Sequence, residues 1–182
     1  MSTPPTLATD RLLLRAFRPS DAETVHELVS AYEIALNTIS IPHPYPEGAA
    51  AQWIATHPGR PDDHVFAITR RDDGALVGCI GIHVQPDHDR AELGYWIGVP
   101  YWGAGYATEA GRAVVAWGFE SLGLNRIFAE HFTRNPASGA VMRNLGMKPE
   151  GTLRRHVRKW DEYVDVVICS VLCDEWRDVT AL

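Results

Sequence analysis

The stretch E-L-G-Y-W-I-G-V-P-Y-W-G-A-G-Y-A-T-E-A, from Glu92 to Ala110, decides the fold of this chain. An apolar run typical of a strand, residues 93–99, leads into a turn that contains Gly103 and Gly105. A helix-forming segment follows at residues 107–122. Glycines at such a strand–helix turn let neighbouring peptide N–H groups face the same way, with the positive end of the helix dipole behind them. The sequence therefore predicts an anion site at this turn.

Length and composition indicate one globular domain, residues 1–182, with enough chain for a sizeable core. The formal net charge is −6, so the chain lacks the basic surplus typical of nucleic-acid-binding proteins. No apolar run has the length of a membrane-spanning helix, and the first residues lack a signal-peptide pattern. Three cysteines without a framework spacing indicate a reducing compartment. We therefore expect a cytoplasmic protein that binds neither nucleic acid nor membrane.

The chain alternates between strand-like and helix-like segments on both sides of the opening stretch. Besides the strand that holds Glu92, strands are predicted at residues 12–17, 64–69, 76–84, 125–133, 147–153 and 163–172. Helices are predicted after residue 20 as far as residue 32, at 48–57, from 107 to 122, and from 136 to 145. Three prolines within residues 38–47 predict an irregular connector. The order β-α-α-β-β-β-α-β-α-β-β is typical of a mixed α/β (α+β) domain, with six to seven strands in one sheet and helices on both faces.

Three interpretations of Gly103 and Gly105 compete. A dinucleotide-binding fingerprint needs glycine or alanine where this chain has Thr108, and it usually opens the first βαβ unit, whereas this turn lies in mid-chain. A P-loop needs Gly-Lys-Ser/Thr, which the sequence does not contain. The third interpretation is an ordinary turn that needs glycine for its backbone angles alone, and the turn by itself favours it.

The neighbouring segments point to a particular ligand. Residues 102–107, W-G-A-G-Y-A, resemble the acyl-CoA pyrophosphate loop of the GNAT N-acetyltransferases, usually written Q/R-x-x-G-x-G/A. Residues 91–96 (A-E-L-G-Y-W), 135–147 (N-P-A-S-G-A-V-M-R-N-L-G-M) and 9–22 (T-D-R-L-L-L-R-A-F-R-P-S-D-A) resemble the RimJ/RimL-type branch, the ribosomal-protein-alanine N-acetyltransferases. The resemblance covers nearly the whole chain in the right order. It implies the GNAT fold, with a strongly twisted mixed sheet, and acetyl-CoA as co-substrate.

The resemblance also implies which residues hold acetyl-CoA. These are Ile97, Gly98, Val99, Trp102, Gly103, Ala104, Gly105, Tyr106, Ala107, Thr108, Asn135 and Ser138. The segment 97–99 is expected to hydrogen-bond the pantetheine chain and to supply the N–H group that stabilises the oxyanion. Two positions depart from the family pattern, since Trp102 replaces Gln or Arg and Ala104 stands where Lys or Arg is frequent. We expect CoA binding to be retained with one phosphate-facing charge fewer, because the peptide N–H groups remain.

Acetyl transfer to an amine requires a neutral nucleophile, a stabilised oxyanion and a protonated thiolate leaving group. Glu92 stands in an A-E-L context similar to that of histone acetyltransferases with a glutamate base, so we predict it as the base, acting through water. Its alternatives are pairing with an arginine or capping backbone N–H groups. Ser138 is the proton donor implied by the resemblance, unless it only occupies the first turn of a helix capped by Asn135. Tyr163 is a rival donor, since a phenol can protonate a thiolate, although tyrosines in late strands are more often core residues.

Recognition of the acceptor is predicted to involve the proline-rich connector and the short helix after it. An aromatic wall suited to a cationic amine is predicted from His43, Tyr45, Trp53, Trp96 and Trp160. The same side chains serve equally well as core. The eight histidines show no metal-ligand spacing, so no metal is predicted. The basic run at residues 154–159 could attract an acidic partner or a CoA phosphate, but a solvated hairpin tip is the favoured interpretation.

These patterns together predict an acetyl-CoA-dependent N-acetyltransferase that acts by direct transfer in a ternary complex. The acceptor is a protein N-terminal α-amine or a small-molecule amine. The alternative is a catalytically silent acyl-CoA-binding module, which has no need of a carboxylate such as Glu92 beside the loop. The sequence is silent on oligomeric state, and a homodimer is compatible with it.

Overall fold

One mixed sheet organises the molecule, whose computed structural model describes residues 4–180. The sheet has eight strands in the order β1-β2-β3-β4-β5-β6-β8-β7. These are β1 (Leu7–Ala8), β2 (Leu12–Arg15), β3 (Asp63–Arg70), β4 (Leu76–Gln85), β5 (Arg90–Ile97), β6 (Arg126–Phe132), β7 (Lys148–Lys159) and β8 (Glu162–Leu172). Neighbouring strands are antiparallel except for β5 and β6, which are parallel. A parallel pair requires a crossover, and the helix after the glycine turn provides it.

Helices cover both faces of the sheet. They are α1 (Ala22–Val29), α2 (Tyr32–Asn37), α3 (Ala49–Thr56), α4 (Tyr106–Ser121), α5 (Pro136–Asn144) and α6 (Cys173–Thr180). The larger core joins α4 and α5 to one face, where Ile80, Ile82 and Leu93 are buried. A second core joins the first three helices to the opposite face around Ala67 and Leu76. The prediction of a mixed sheet with helices on both faces is therefore confirmed.

The strand count and some boundaries differ from the prediction. The sheet has eight strands rather than six to seven, because β1 is only two residues long and carries no alternation that could mark it. The first predicted helix is two helices, since the extended backbone of Ala31 (φ −62°, ψ 129°) separates them. The final helix α6 was not predicted.

The basic run at residues 154–159 belongs to β7 and is not the hairpin tip. Pairing of β7 with β8 continues to Lys159 and Glu162, so the turn lies at residues 160–161. The side chain of Lys159 is buried, and its Nζ donates to the carbonyl oxygens of Ile39 (3.3 Å) and Ile41 (2.8 Å). The end of the β7–β8 hairpin is thus hydrogen-bonded to the proline-rich connector at residues 38–47. No helix within residues 4–180 is both long and apolar enough to cross a membrane.

Candidate active site

A cleft opens in the sheet because β5 and β6 separate. The two strands pair only through residues 90–92 and 126–128, and the rest of each strand continues without its neighbour. The gap widens into a cleft of about 1080 Å³. Strand β5, the loop before α4 and the first turn of α5 form part of its wall.

The pairing of β5 with β4 shows which of its peptide groups face the cleft. The Gly98 N–H donates to Val77 O at 2.9 Å, so Gly98 turns its backbone toward β4. Backbone groups alternate in direction along an antiparallel strand, and those of Tyr95 and Ile97 therefore face the cleft. Trp102 Nε1 donates to Ile97 O at 2.6 Å, which leaves the Ile97 N–H directed into the cleft. Of the segment 97–99, Ile97 is the residue with a cleft-facing peptide group.

The glycine turn adopts the geometry of an anion site. Gly103 (φ +75°) and Gly105 (φ +81°) are both left-handed, a conformation that side chains other than glycine disfavour. Gly105 is the N-cap of α4 and supplies no side-chain acceptor, and the helical ladder begins with Glu109 N–H to Gly105 O. The peptide N–H groups of residues 103–108 have no acceptor in the part of the chain that the structure describes. These donors, at the positive end of a 16-residue helix, fit a diphosphate.

Arg11 holds this loop from outside, although no sequence pattern marked it as a site residue. Its Nη1 donates to Ala104 O at 3.0 Å, its Nε donates to Glu109 Oε2 at 2.7 Å, and its guanidinium lies 5.0 Å from the Tyr106 ring centroid. Glu109 also accepts from Thr9 Oγ1 at 2.6 Å. Burial alone would raise the pKa of Glu109, but the hydrogen bonds from Thr9 and Arg11 lower it. The carboxylate in the first turn of α4 is therefore ionised and neutralised by Arg11.

Helix α5 carries Asn135 and Ser138 to the cleft. Asn135 is the N-cap, and its Oδ1 accepts the Ser138 N–H at 3.2 Å. The Ser138 hydroxyl lies 2.7 Å from Tyr95 Oη, which also donates to Ser138 O at 3.2 Å. Burial raises the pKa of Tyr95 to about 12, against the opposing effect of the Ser138 hydrogen bond. The phenol is protonated at neutral pH and sets the position of the serine hydroxyl. Tyr95 is a site residue that no motif indicated.

Glu92 lies on the face of β5 opposite Tyr95, half-buried in the cleft. Its carboxylate has no hydrogen bond or ion pair with any residue in the described chain, so the arginine pairing considered from the sequence is not formed there. Burial and the nearby Glu130 raise the pKa of Glu92, while His83 lowers it. On the same face, Gly94 has no atom within 4 Å of where a Cβ would be, which leaves space beside the carboxylate. A carboxyl with a raised pKa next to free space suits a general base.

Comparison with known proteins agrees with this geometry. A family profile for the acetyltransferase (GNAT) domain matches residues 11–148. The chain belongs to the GNAT acetyltransferase family. It is 33% identical over 184 residues to the uncharacterized N-acetyltransferase YoaA of Bacillus subtilis, covering 92% of this chain and 97% of that protein. The putative ribosomal N-acetyltransferase YdaF of the same organism is 29% identical over 176 residues, covering 92% and 94%. A GNAT acetyltransferase structure from Bacillus anthracis superposes with a TM-score of 0.85 at 26% identity, covering 93% and 99%.

As a GNAT N-acetyltransferase, the protein catalyses acetyl-CoA-dependent acetyl transfer, and the similarity to the putative ribosomal N-acetyltransferase is consistent with the RimJ/RimL-type branch. Most residues predicted to bind acetyl-CoA do line the cleft of this GNAT domain. They are Ile97, Trp102, Gly103, Gly105, Tyr106, Ala107, Thr108, Asn135 and Ser138. Gly98, Val99 and Ala104 are not among the cleft-lining residues.

The GNAT cleft contains only part of the predicted acceptor wall. Tyr45, Trp53 and Trp96 line it, and all three also pack against the second core. His43 and Trp160 do not line it. Both contact the ring of Tyr32 instead, with centroid distances of 5.3 Å for His43 and 5.5 Å for the stacked Trp160.

Tyr163, the rival proton donor, is not among the residues that line the GNAT cleft. It is 63% exposed and pairs with Arg158 near the end of the β7–β8 hairpin. The structure therefore brings Tyr95, and not Tyr163, to Ser138. Among the described residues, no three histidine, cysteine, aspartate or glutamate side chains are grouped as metal ligands would be.

Proposed function

We propose that the protein transfers the acetyl group of acetyl-CoA directly to a primary amine in a ternary complex, with a protein N-terminal α-amine or a small-molecule amine as acceptor. One observation carries the proposal. The free peptide N–H groups of residues 103–108 lie at the edge of the cleft. Glu92 lines one side of that cleft, and the hydrogen-bonded pair Tyr95–Ser138 lines the other. An anion-binding loop alone would be enough for a protein that only binds acyl-CoA. Glu92 and the Tyr95–Ser138 pair are groups that transfer protons, and only an enzyme needs them.

The loop and β5 would hold the acetyl donor. The N–H groups of residues 103–108 match the diphosphate of CoA, and Arg11 supports the loop that carries them. The cleft-facing N–H of Ile97 is placed to hydrogen-bond the pantetheine arm or the thioester oxygen. The cap amide of Asn135 lies on the opposite wall, so the arm would run between β5 and α5. When bound, acetyl-CoA supplies the activated acyl group.

Glu92 would accept the proton of the acceptor ammonium group. Free α-amines have pKa values of about 8 and lysine amines of about 10.4, so either acceptor is mostly protonated at neutral pH. Burial and Glu130 raise the pKa of Glu92 toward the range in which a base exchanges protons with an amine. Gly94 leaves the space in which the amine and the thioester carbonyl can meet beside that carboxylate.

Ser138 would donate the proton that the CoA thiolate takes up. Its Oγ is 2.7 Å from Tyr95 Oη, so the serine can pass its proton to the sulfur and recover one from the phenol, which the second proton lost by the attacking nitrogen then replaces. The phenol is fully protonated at neutral pH because burial raises the pKa of Tyr95 to about 12. Tyr95 would support Ser138 as donor, whereas Tyr163, the tyrosine predicted as a rival donor, does not contact the serine.

The lining of the cleft favours a cationic acceptor. Glu33, Asp63, Glu92 and Glu130 contribute carboxylates, and Tyr45, Trp53 and Trp96 contribute rings. The relative named a putative ribosomal N-acetyltransferase supports a protein N-terminus within this class. The net charge of −6 supports attraction of basic peptides and of polyamines alike.

Two measurements test the proposal. Calorimetry with CoA and acetyl-CoA should show binding, and thiol release from acetyl-CoA should rise with one of a panel of peptides with free N-termini, polyamines and aminoglycosides. Binding without thiol release for every acceptor would favour the silent module. The absence of binding by either ligand would contradict the assignment of the loop.

A further inference from the structure

Three polar residues lie side by side across three strands, on the face of the sheet that forms the cleft. Asp63 of β3 pairs in register with His83 of β4, and His83 pairs with Glu92 of β5. Side chains directly opposite each other on neighbouring strands project from the same face of a sheet. All three residues line the cleft. Asp63 and His83 therefore add two titratable side chains to the site, next to the proposed base Glu92.

Asp63 orients the imidazole of His83. Its Oδ1 lies 2.5 Å from His83 Nδ1, and its Oδ2 accepts from Arg60 Nη1 at 3.2 Å. Burial would raise the pKa of Asp63, but the hydrogen bonds from His83 and Arg60 lower it, so the aspartate is ionised at neutral pH. An ionised carboxylate at Nδ1 holds the proton on that nitrogen and leaves Nε2 as the acceptor.

His83 connects the interior of the cleft to solvent. Its side chain is 55% exposed, whereas Glu92 is half-buried and has no hydrogen-bond partner in the described chain. Directly opposed residues in a hydrogen-bonded antiparallel pair have Cα atoms about 5.5 Å apart. Rotation of the Glu92 side chain alone can bring its carboxylate toward the free nitrogen of His83, whose charge already acts on Glu92.

The reaction needs such an outlet. An ammonium acceptor and a thioester give an amide, a thiol and one proton: the new C–N bond replaces the C–S bond, one ammonium proton goes to the sulfur, and one leaves for solvent. If Glu92 kept that proton, it could not act in the next turnover. Imidazole is the side chain best suited to pass protons to water near neutral pH.

We propose that the Asp63–His83 pair is the proton outlet of Glu92, so that the proton taken from the acceptor amine moves from the Glu92 carboxylate to His83 Nε2 and then to solvent. The inference rests on the base role of Glu92 given above. His83 acts through Glu92 and is thus a positioning residue for proton flow, with Asp63 setting its tautomer.

Carboxylates flank His83 on the cleft face of the sheet. Asp63 faces it from β3, Glu92 from β5, and Glu130 of β6 adds a second carboxylate beside Glu92. The nearby Arg60 directs its charge to Asp63, with its Nη1 3.2 Å from Asp63 Oδ2. The proposed proton path through His83 is therefore bordered by carboxylates on the neighbouring strands.

The experiment compares His83→Gln with His88→Gln, a matched change of an exposed histidine outside the cleft. With an amine acceptor near neutral pH, H83Q should lower kcat about tenfold or more, leave the acetyl-CoA Kd unchanged, and regain rate as imidazole buffer is added. H88Q should behave as the unmodified protein. Asp63→Asn should lower kcat with weaker rescue, because it removes the group that fixes the tautomer.

The outcomes separate this inference from the proposed function. If Glu92→Gln abolishes transfer while H83Q keeps full kcat without dependence on buffer concentration, the outlet is refuted and the base stands. If H83Q loses activity that imidazole does not restore, His83 has only a structural role, and the inference is again refuted. If Glu92→Gln keeps full activity at every pH, the base assignment fails first.

Discussion

Replacing Tyr95 with phenylalanine removes one oxygen atom from the centre of the site. That oxygen lies 2.7 Å from the Ser138 hydroxyl and 3.2 Å from the Ser138 carbonyl oxygen, and it joins β5 to α5 across the cleft. Phenylalanine retains the ring that packs against the larger core. The variant therefore isolates the two hydrogen bonds from the packing.

The size of the effect follows from those two bonds. A net hydrogen bond contributes about 1 kcal/mol, so Tyr95→Phe should lower the free energy of unfolding by ~1–2 kcal/mol. If the same interaction orients Ser138 in the transition state, kcat should fall roughly 5–30-fold. The loss should be constant across the neutral range, because the pKa of Tyr95 is about 12 and its hydroxyl does not titrate there.

Thiol release from acetyl-CoA under saturating acceptor measures kcat, and urea denaturation measures stability. Tyr163→Phe is the matched control, because Tyr163 is 63% exposed and does not line the cleft. This control should leave both kcat and the free energy of unfolding unchanged. Combining Tyr95→Phe with Ser138→Ala should cost little beyond Ser138→Ala alone, because both changes remove the same interaction.

Two results would refute this reasoning. One is a Tyr95→Phe variant with unchanged kcat while Ser138→Ala is impaired, which would show that the serine works without the phenol. The other is a larger loss in Tyr163→Phe than in Tyr95→Phe, which would return the donor role to the exposed tyrosine.

Substitutions at Glu92, at Arg11 and at two glycines test other parts of the molecule. Glu92→Gln should lower kcat by about 100-fold or more near neutral pH, and the deficit should shrink as rising pH deprotonates the acceptor without help. The pKa of Glu92 is raised in the folded protein, so ionisation of this carboxyl lowers the free energy of unfolding as the pH rises through that pKa. At neutral pH, Glu92→Gln should therefore have a free energy of unfolding equal to or higher than that of the unmodified protein. Arg11→Ala should weaken acetyl-CoA binding several-fold by calorimetry, with Arg11→Lys intermediate because it lacks the planar fork. Gly78→Ala should destabilise the fold by about 1–3 kcal/mol, since a Cβ there would overlap Trp96 O, whereas Gly94→Ala meets open space and should not.

Each of these has an outcome that contradicts it. Full activity of Glu92→Gln would rule out Glu92 as the general base. An unchanged acetyl-CoA Kd in Arg11→Ala would limit Arg11 to a structural role. Equal denaturation midpoints for the two glycine variants would show that the strands shift freely enough to accept a methyl group at Gly78.

Local chemistry explains what could be predicted. The loop at residues 102–108 depends on two glycines and a helix start within a few positions of each other, and Asn135 and Pro136 mark the start of α5 by the same kind of local preference. The boundaries that failed lack such marks. β1 is two residues long, and the break between α1 and α2 occurs at Ala31, which is neither glycine nor proline.

Long-range pairing explains what the sequence did not show. Arg11 meets Glu109 across 98 positions, Tyr95 meets Ser138 across 43, and His83 meets Asp63 across 20. Each contact depends on the register of a strand or on the way a helix returns to the sheet. No motif within one segment carries that information.

The sequence alone determined the family, the order of most elements and the anion-binding loop, because these depend on residues close together in the chain. Only the tertiary structure decided which groups stand around the reacting atoms. In the folded chain β5 and β6 separate after Glu92, and the peptide group of Ile97 faces the resulting cleft. Tyr95, and not Tyr163, lies beside Ser138. A side chain's neighbours depend on strand register and helix packing, and these are set by the whole core at once.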